Sequence, residues 1–352
     1  MRVGVDGRSL RAGRAARGVA VYLRCLLAEL AGLGQAELHV LGAGDGLPGG
    51  ETLTPHASPL AGRLGFASAA VVRRPRLDRM VGGCDVAWAP APAPLALSRT
   101  VPLVLTIHDL SFEHRPRDYT AYERLWHRAA RPRDLARRAA RVIAVSESVR
   151  AQLVDEWDLP QEKVVTIPSG PGLPPGPAGQ PPEDLGAGYL LAVGALEPRK
   201  RIDLLVEAHA RARRRGLEAE LVLAGGGRMR AAAPAVRELG FVDEQQLEAL
   251  YAGALALVSA SREEGFGFTP LEALARGTPA VVPDLSPFRE ILGQAAIRFR
   301  PEDADALAEA MLSLERDPGL RERLVAAAPE PLGRLSWKRA AETTAAVLAE
   351  AA

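Results

Sequence analysis

The 352-residue sequence has few cysteines, few lysines and no long hydrophobic run. Its two cysteines, Cys25 and Cys84, argue against a disulfide framework and are consistent with a reducing compartment. No apolar stretch approaches the ~20 residues of a membrane span, and the N-terminus, MRVGVDGRSL, lacks the apolar core of a signal peptide. These absences predict a cytoplasmic protein.

The charge is balanced overall but uneven along the chain. A formal net charge of +1 argues against a nucleic-acid partner. The first 168 residues carry 23 basic and 17 acidic residues, whereas the rest carry 21 and 26. A basic first half and an acidic second half predict different partners for the two halves.

The length of the chain predicts two domains, because 352 residues exceed one comfortable core. Residues 168–188 hold seven prolines and six glycines, the composition of a linker. We therefore predict a first domain over residues 1–168, a linker over 169–188 and a second domain over 189–335, followed by an amphipathic helix over 336–352.

A strand, a glycine-bearing loop, a helix and a second strand are predicted between residues 254 and 283. The helix start is indicated by Thr269 as the N-cap, Pro270 at the first helical position and Glu272 three residues after the cap. Gly277 is expected to end this helix. In such a βαβ unit the loop after the first strand is where open sheets bind ligands, and the helix start favours a phosphate.

Two glutamates, Glu264 and Glu272, are separated by seven residues in this stretch. Glu272 has two interpretations, as a capping-box residue or as a ligand of a substrate. Glu264 has no comparable local role, and Gly265 and Gly267 would let the main chain come close to a ligand.

The segment EGFGFTPLEA at residues 264–273 resembles the signature of family 4 glycosyltransferases of the GT-B fold. The resemblance implies an α/β protein with two Rossmann-like domains, whose parallel sheets face each other across a cleft. It also implies that the terminal helix returns to the first domain, that Glu272 holds the ribose of a sugar nucleotide and that Glu264 faces the donor sugar. The loop that reaches phosphates and sugar hydroxyls would comprise Gly265, Phe266, Gly267, Phe268 and Thr269.

Arg199 and Lys200 stand just before a predicted helix, where two cations and a helix dipole would bind a diphosphate. The sequence LEPRKR resembles the EPRK motif of the same family, in which the arginine and lysine bind the leaving diphosphate. Ala195 stands where some relatives have a further arginine. The segment ending in Val242 resembles the family's segment whose main chain faces the base.

Two positions in the first domain are also candidates. His108, at the end of a predicted strand, resembles the family's histidine near the transferred sugar, and a neutral histidine can donate to a sugar hydroxyl. Gly18 resembles a glycine beneath the donor phosphates, but it can equally be the start of a helix. Ala20 stands where many relatives have a second glycine. The opening lacks G-x-G-x-x-G, which excludes a dinucleotide dehydrogenase.

Nine arginines lie between Arg115 and Arg141. Such a run is usually a solvated helix, and we find no adjacent apolar face of Trp and Leu. An anionic acceptor and peripheral contact with the inner membrane face are the alternatives. Asp303 and Asp305 form a D-x-D pattern, which we interpret as an acidic first helical turn rather than a metal site.

We therefore predict a retaining, metal-independent hexosyltransferase without a cofactor, in which His108, Lys200, Arg199 and Glu264 are catalytic. The EPRK motif and the DGRSL opening resemble those of mannosyl- and related transferases that make polysaccharide, and this resemblance slightly favours GDP-mannose over a UDP-sugar. The expected acceptor is a glycan, a lipid-linked glycan or a small molecule. A glycoside hydrolase is less favoured, because both glutamates come from one loop and one helix. A GT-B sugar-nucleotide epimerase and a catalytically silent nucleotide-sugar-binding module remain as alternatives.

Overall fold

The computed structural model describes residues 1–10, 17–44, 47–48, 52–58, 72, 74–182, 185–186 and 188–352. Residues 11–16, parts of the 43–83 stretch, and residues 183, 184 and 187 of the proline- and glycine-rich segment lie outside the described residues. The chain forms two compact units. One comprises Met1–Gly170 and Ser336–Ala352, and the other comprises Pro171–Leu335.

The first unit is built on a seven-stranded, all-parallel sheet. Its strands β1 to β7 are Arg2–Asp6, Glu37–Leu41, Leu53–His56, Val86–Ala89, Leu103–Ile107, Arg141–Ala144 and Val164–Thr166. Their spatial order is β3-β2-β1-β4-β5-β6-β7, so the order reverses between β1 and β4. All five residues of β5, LVLTI, are buried, as expected for a parallel strand covered on both faces.

Helices cover this sheet, and side chains cap two of them. Helices α1 to α6 are Arg17–Leu33, Leu77–Met80, Ser111–His114, Ala121–Ala130, Pro132–Arg138 and Glu147–Trp157. Ser146 caps α6 by accepting a hydrogen bond from the Val149 N–H. Thr120 and Glu123 form a capping box at the start of α4.

The second unit is built on a six-stranded, all-parallel sheet. Strands β8 to β13 are Tyr189–Val193, Leu221–Ala224, Val236–Gly240, Ala254–Val258, Ala280–Pro283 and Ala296–Phe299. Helices α7 to α13 are Ile202–Arg214, Glu244–Gly253, Phe268–Leu274, Ser286–Leu292, Ala304–Arg316, Pro318–Ala327 and Pro329–Arg334. The strand order β10-β9-β8-β11-β12-β13 reverses between β8 and β11. The predicted pair of Rossmann-like domains is confirmed.

The last helix, α14 at Trp337–Ala351, belongs to the first unit, where it packs against α1, β4 and β5. Ser336 caps it through the Arg339 N–H. Trp337 is only 8% exposed, and a Cβ atom on Gly170 would lie 2.6 Å from its Nε1. Its ring also lies edge-on to Tyr22, with 6.0 Å between the ring centroids.

The predicted start of α9 is wrong. The helix begins at Phe268 rather than after Thr269, and its N-cap is Gly267 in the left-handed conformation, with φ of +95°. No side chain caps it, so the capping-box interpretation of Glu272 fails. A glycine with positive φ turns the chain into the helix two residues earlier than the Thr-Pro pattern indicates.

Candidate active site

The loops that follow β8 and β11 enclose a small pocket at the point where the strand order of the second sheet reverses. This is where open parallel sheets bind ligands. The Arg262 N–H donates to the carbonyl oxygen of Arg199 at 2.9 Å, which joins the two loops. The residues around the pocket include Gly194, Ala195, Lys200, Ser259, Ser261 and Thr269.

Lys200, which lines this pocket, pairs with Glu264. The sequence Pro198–Lys200 forms a 3₁₀ turn directly before α7, and Arg201 follows in the left-handed conformation. The Lys200 ammonium forms an ion pair with Glu264 Oε1, and the two side chains are only 21% and 16% exposed. The structure thus brings together the lysine predicted for the diphosphate and the glutamate predicted for the sugar.

The loop after Glu264 is positioned by packing contacts inside the second unit. Gly265, Phe266 and Gly267 are buried. The Phe266 and Phe268 rings lie 5.2 Å apart between centroids. A Cβ atom on Gly267 would lie 2.6 Å from Cε1 of Phe288, and its φ is positive, so this position requires glycine. Phe268 and Thr269 remain partly exposed, and Thr269 faces the pocket.

Glu272 is 4% exposed, and two donors fix its carboxylate. The Tyr251 hydroxyl donates to Oε2 at 2.9 Å, and the Leu173 N–H donates to Oε1 at 3.4 Å. Gly172, with φ of +86°, lies so close that an added Cβ would come within 2.6 Å of Oε1. The predicted ribose ligand is therefore an oriented, buried carboxylate.

Arg276 stabilises the main chain on both sides of the Glu272–Leu173 hydrogen bond. Its guanidinium pairs with Glu248, and the two side chains are 6% and 12% exposed. It also donates to the carbonyl oxygens of Leu173 at 3.3 Å and Glu272 at 2.9 Å. The guanidinium lies 5.2 Å from the centroid of the Tyr251 ring. Tyr251, Leu173 and Arg276 belong to no sequence motif, so these three residues were not predicted.

Val242 lies after β10, at the carboxyl edge of the same sheet, and directly precedes Asp243, the N-cap of α8. Its neighbour Phe241 is 49% exposed. A Cβ atom on Gly226 would lie 2.8 Å from Cζ of Phe241, so the ring rests on a glycine that leaves room for it. The Gly225 N–H donates to the Gly240 carbonyl oxygen at 2.7 Å.

His108 follows β5 in the first unit, as predicted. Its Nε2 lies 2.8 Å from the Pro90 carbonyl oxygen, which can only accept, so Nε2 carries the proton. Burial lowers the pKa of His108 below 6.5, so the ring is neutral at pH 7. The expected donation to a sugar hydroxyl is therefore corrected, because the remaining nitrogen, Nδ1, can only accept.

Gly18 lies in the first turn of α1 and is exposed. No described atom lies within 4 Å of a Cβ built on it. The interpretation as a helix start fits these surroundings, and a role beneath phosphates stays a prediction.

The D-x-D pattern lies at the N-terminus of helix α11. Asp303 Oδ1 accepts from the N–H groups of Asp305 and Ala306, both at 3.0 Å, and thereby caps α11. Within the described ranges, no group of three or more His, Cys, Asp or Glu side chains is placed to hold a metal. None of the described helices is long and apolar enough to cross a bilayer.

Comparison with known proteins agrees with this geometry. Residues 179–330 match the family described as glycosyl transferases group 1, and residues 16–171 match glycosyltransferase family 4. The chain is 29% identical over 269 residues to O-antigen chain mannosyltransferase B of Escherichia coli, covering 68% of each protein. It is 27% identical over 311 residues to the alpha-D-kanosaminyltransferase of Streptomyces kanamyceticus, covering 79% of this chain and 80% of that protein.

A solved structure shares the fold across the whole chain. The crystal structure of Anabaena HepE in complex with UDP and glucose superposes with a TM-score of 0.72, covering 99% of this chain and 100% of that one. At 18% identity this likeness shows the fold alone, which is GT-B.

Proposed function

The chain belongs to glycosyltransferase family 4 and has the GT-B fold, and from this we propose that it is a retaining, metal-independent hexosyltransferase. It moves a sugar from a nucleotide diphosphate sugar to a hydroxyl acceptor during glycan, polysaccharide or glycoconjugate synthesis. The observation that carries the proposal is the Lys200–Glu264 ion pair, in a pocket at the strand-order reversal and directly before α7.

In the proposed reaction, the bond between the sugar C1 and the diphosphate oxygen breaks while the acceptor oxygen bonds to C1 on the same face. The acceptor's proton passes to the leaving diphosphate oxygen. Lys200, Arg199 and the start of α7 stabilise the negative charge that grows on the diphosphate. A diphosphate would take the Lys200 ammonium as its partner and leave Glu264 to a sugar hydroxyl.

Most of the other residues proposed to contact the donor lie in the second unit. Glu272, already oriented by Tyr251 and Leu173, is proposed to accept from the ribose hydroxyls. The main chain of residues 265–269 is proposed to donate to phosphate and sugar oxygens, and that of Val242 to face the base. In the first unit, His108 Nδ1 is proposed to accept from a sugar hydroxyl, and Gly18 stays a candidate for the phosphates.

We propose GDP-mannose as the donor ahead of a UDP-sugar. The mannosyltransferase name of one relative supports this choice. The kanosaminyltransferase name of the other, and the UDP and glucose in the HepE structure, favour different donors. The base is expected to be read by main-chain groups near Val242, and side-chain motifs do not report on those contacts.

Thermal unfolding with GDP, GDP-mannose, UDP and UDP-glucose tests donor binding. A ligand at 100 times its Kd should add about 2.7 kcal/mol to the unfolding free energy. If no nucleotide raises the Tm, donor binding is contradicted.

Retention is tested separately, because NMR of the product gives its anomeric configuration, and an inverted product would contradict the mechanism. Activity that disappears in EDTA would contradict metal independence.

The diphosphate role is tested by Lys200→Ala. We expect a large loss of kcat/KM with an unchanged fold, because the developing charge on the diphosphate loses its ammonium partner. Arg214→Ala, which removes an exposed cation from the last turn of α7, is the matched control and should keep full activity. An unchanged kcat/KM in Lys200→Ala would remove this residue from the mechanism.

The acceptor is proposed to be a glycan, a lipid-linked glycan or a small molecule. We also propose that the basic first unit makes peripheral contact with an anionic membrane face. The charge of +6 on the first 168 residues, from 23 basic and 17 acidic residues, supports this contact.

A further inference from the structure

A pocket rimmed by arginines lies in the first unit, away from His108. Arg76, Arg99, Arg131 and Arg138 surround it, and Asp134 is the one acidic residue beside them. Arg99 precedes β5 and Arg138 precedes β6, so the pocket lies near the amino ends of these strands. His108, by contrast, follows the carboxyl end of β5. The pocket is therefore separate from the site proposed for the sugar.

Two of these four cations, Arg76 and Arg99, are not neutralised by carboxylates among the described residues. Asp134 pairs with Arg131 at 2.6 Å. Arg138 donates to the Ser98 carbonyl oxygen at 2.7 Å, and Arg76 reaches the Ser98 hydroxyl at 3.4 Å. Within the described part of the chain, Arg76 and Arg99 make no ion pair with a carboxylate. Guanidinium groups that no carboxylate neutralises favour phosphate, which they can bind in a bidentate manner.

The floor of the pocket is apolar. It is formed by side chains from the connection between β4 and β5 and from the ends of α4 and α5, namely Leu95, Ala96, Leu97, Ala129, Ala130 and Leu135. A charged rim around an apolar floor suits a ligand that has a phosphate beside hydrocarbon.

Helix α4 carries an apolar stripe outward to solvent. Tyr122 is 46% exposed and Leu125 is 64% exposed, at positions where a solvated helix would carry charge. Ala129, one turn beyond Leu125, lines the pocket, so the stripe leads into it. The inward face of the helix is already used, because His127 stacks on Phe112 with 4.8 Å between centroids.

From the sequence we expected no apolar face of Trp and Leu beside the arginine run. The stripe on α4 corrects that expectation. The apolar residues come from Tyr and Leu at helical spacing, and exposed Arg128 lies beside them, one turn after Arg124. Within the described residues Arg128 has no ion-pair partner. An exposed apolar stripe flanked by arginines is the pattern of helices that lie in a membrane interface.

We propose that α4 and the arginine-rimmed pocket form a docking surface for an anionic lipid bilayer. Leu125 and Tyr122 enter the headgroup region, while Arg76, Arg99 and Arg128 contact lipid phosphates. This surface gives the proposed peripheral contact of the first unit a location, and it does not depend on glycosyl transfer.

Co-sedimentation with phosphatidylcholine vesicles, with and without phosphatidylglycerol, tests the proposal. The full chain should bind the anionic vesicles, and salt should weaken the binding because it screens the arginines. Arg99→Ala and Arg128→Ala should each weaken binding about fivefold, since a basic residue near an anionic surface contributes about 1 kcal/mol. Leu125→Gln should weaken it about tenfold through lost apolar burial.

Arg214→Ala, on α7 of the second unit, is the charge-matched control and should bind as the unaltered chain does. Leu125→Trp should bind at least as well and shift its fluorescence to the blue on anionic vesicles. Equal binding to both vesicle types overturns the proposal, as does no binding or an equal loss in Arg214→Ala. Inorganic phosphate that binds the pocket while vesicles do not would also overturn it. Nucleotide-induced shifts in Tm, measured on the same variants, report separately on the donor site.

Discussion

The substitution Gly172→Ala would test whether the segment before the second sheet orients the carboxylate of Glu272. Gly172 has φ of +86°, and an added Cβ would overlap the Glu272 side chain and come within 2.6 Å of Oε1. Since non-bonded carbon atoms prefer ~3.5 Å or more, the carboxylate must move by about 1 Å. A misplacement of ~1 Å can cost about 100-fold in a positioned site.

The chain offers a matched control in Gly188→Ala. Gly188 has nearly the same φ, +87°, but no atom of the described residues lies within 4 Å of its Cβ position. Both variants should lose about 1–2 kcal/mol of unfolding free energy, because alanine is strained at positive φ. Only Gly172→Ala should also lose nucleotide affinity.

Isothermal titration with the nucleotide that raises the Tm most is the decisive assay. We expect a Kd raised by about 10- to 100-fold in Gly172→Ala and unchanged in Gly188→Ala. If Gly172→Ala binds nucleotide as tightly as Gly188→Ala does, Glu272 does not hold the nucleotide. If both lose affinity equally, the loss comes from backbone strain and not from the carboxylate.

Three further predictions concern stability. Tyr251→Phe removes a hydrogen bond to a buried carboxylate and should cost about 1.5–3 kcal/mol in urea unfolding; an unchanged midpoint would contradict the contact. Trp337→Ala should destabilise the first unit by about 3–5 kcal/mol, because the ring packs against Tyr22 and Gly170; a normal Tm would show that α14 does not brace that unit. Burial lowers the pKa of His108 and of His209 below 6.5, so the unfolded chain takes up protons first as the pH falls through 6.5. The unfolding free energy should therefore be highest above that pH and decline below it, and a rise in Tm on acidification through this range would contradict the burial of these rings.

The elements that the sequence predicts well are those set by local patterns. The strand that ends before His108, the helix that opens at Asp303 and the terminal helix are all found in the structure. Strand β3, LTPH, escaped prediction because it is short and contains a proline, which an edge strand tolerates. The start of α9 was misassigned because Gly267 supplies by its conformation what the Thr-Pro-x-Glu pattern would supply by side chains.

The residues of the candidate site also fall into two groups, those that the sequence predicts and those that it does not. The motif residues Lys200, Glu264 and Glu272 could be identified from spacing and resemblance. Their partners could not, because the Leu173 N–H that meets Glu272 lies 99 positions away in the sequence. Such a contact leaves no periodic signal, since it depends on how the sheet brings distant loops together.

The proline- and glycine-rich segment therefore has a structural role as well as a linking one. From Pro171 onward the segment belongs to the second unit, where Leu173 donates to Glu272 and accepts from Arg276. Further along, the Gly179 N–H donates to the Gln245 carbonyl oxygen at 2.9 Å. Gly176, by contrast, is exposed, and no atom in the described part of the chain lies within 4 Å of its Cβ position. Composition alone treats these glycines as equivalent. The contacts separate them into positions that hold the candidate donor site and positions that only connect, and substitutions at 172 and 176 should accordingly differ in their effect on nucleotide binding.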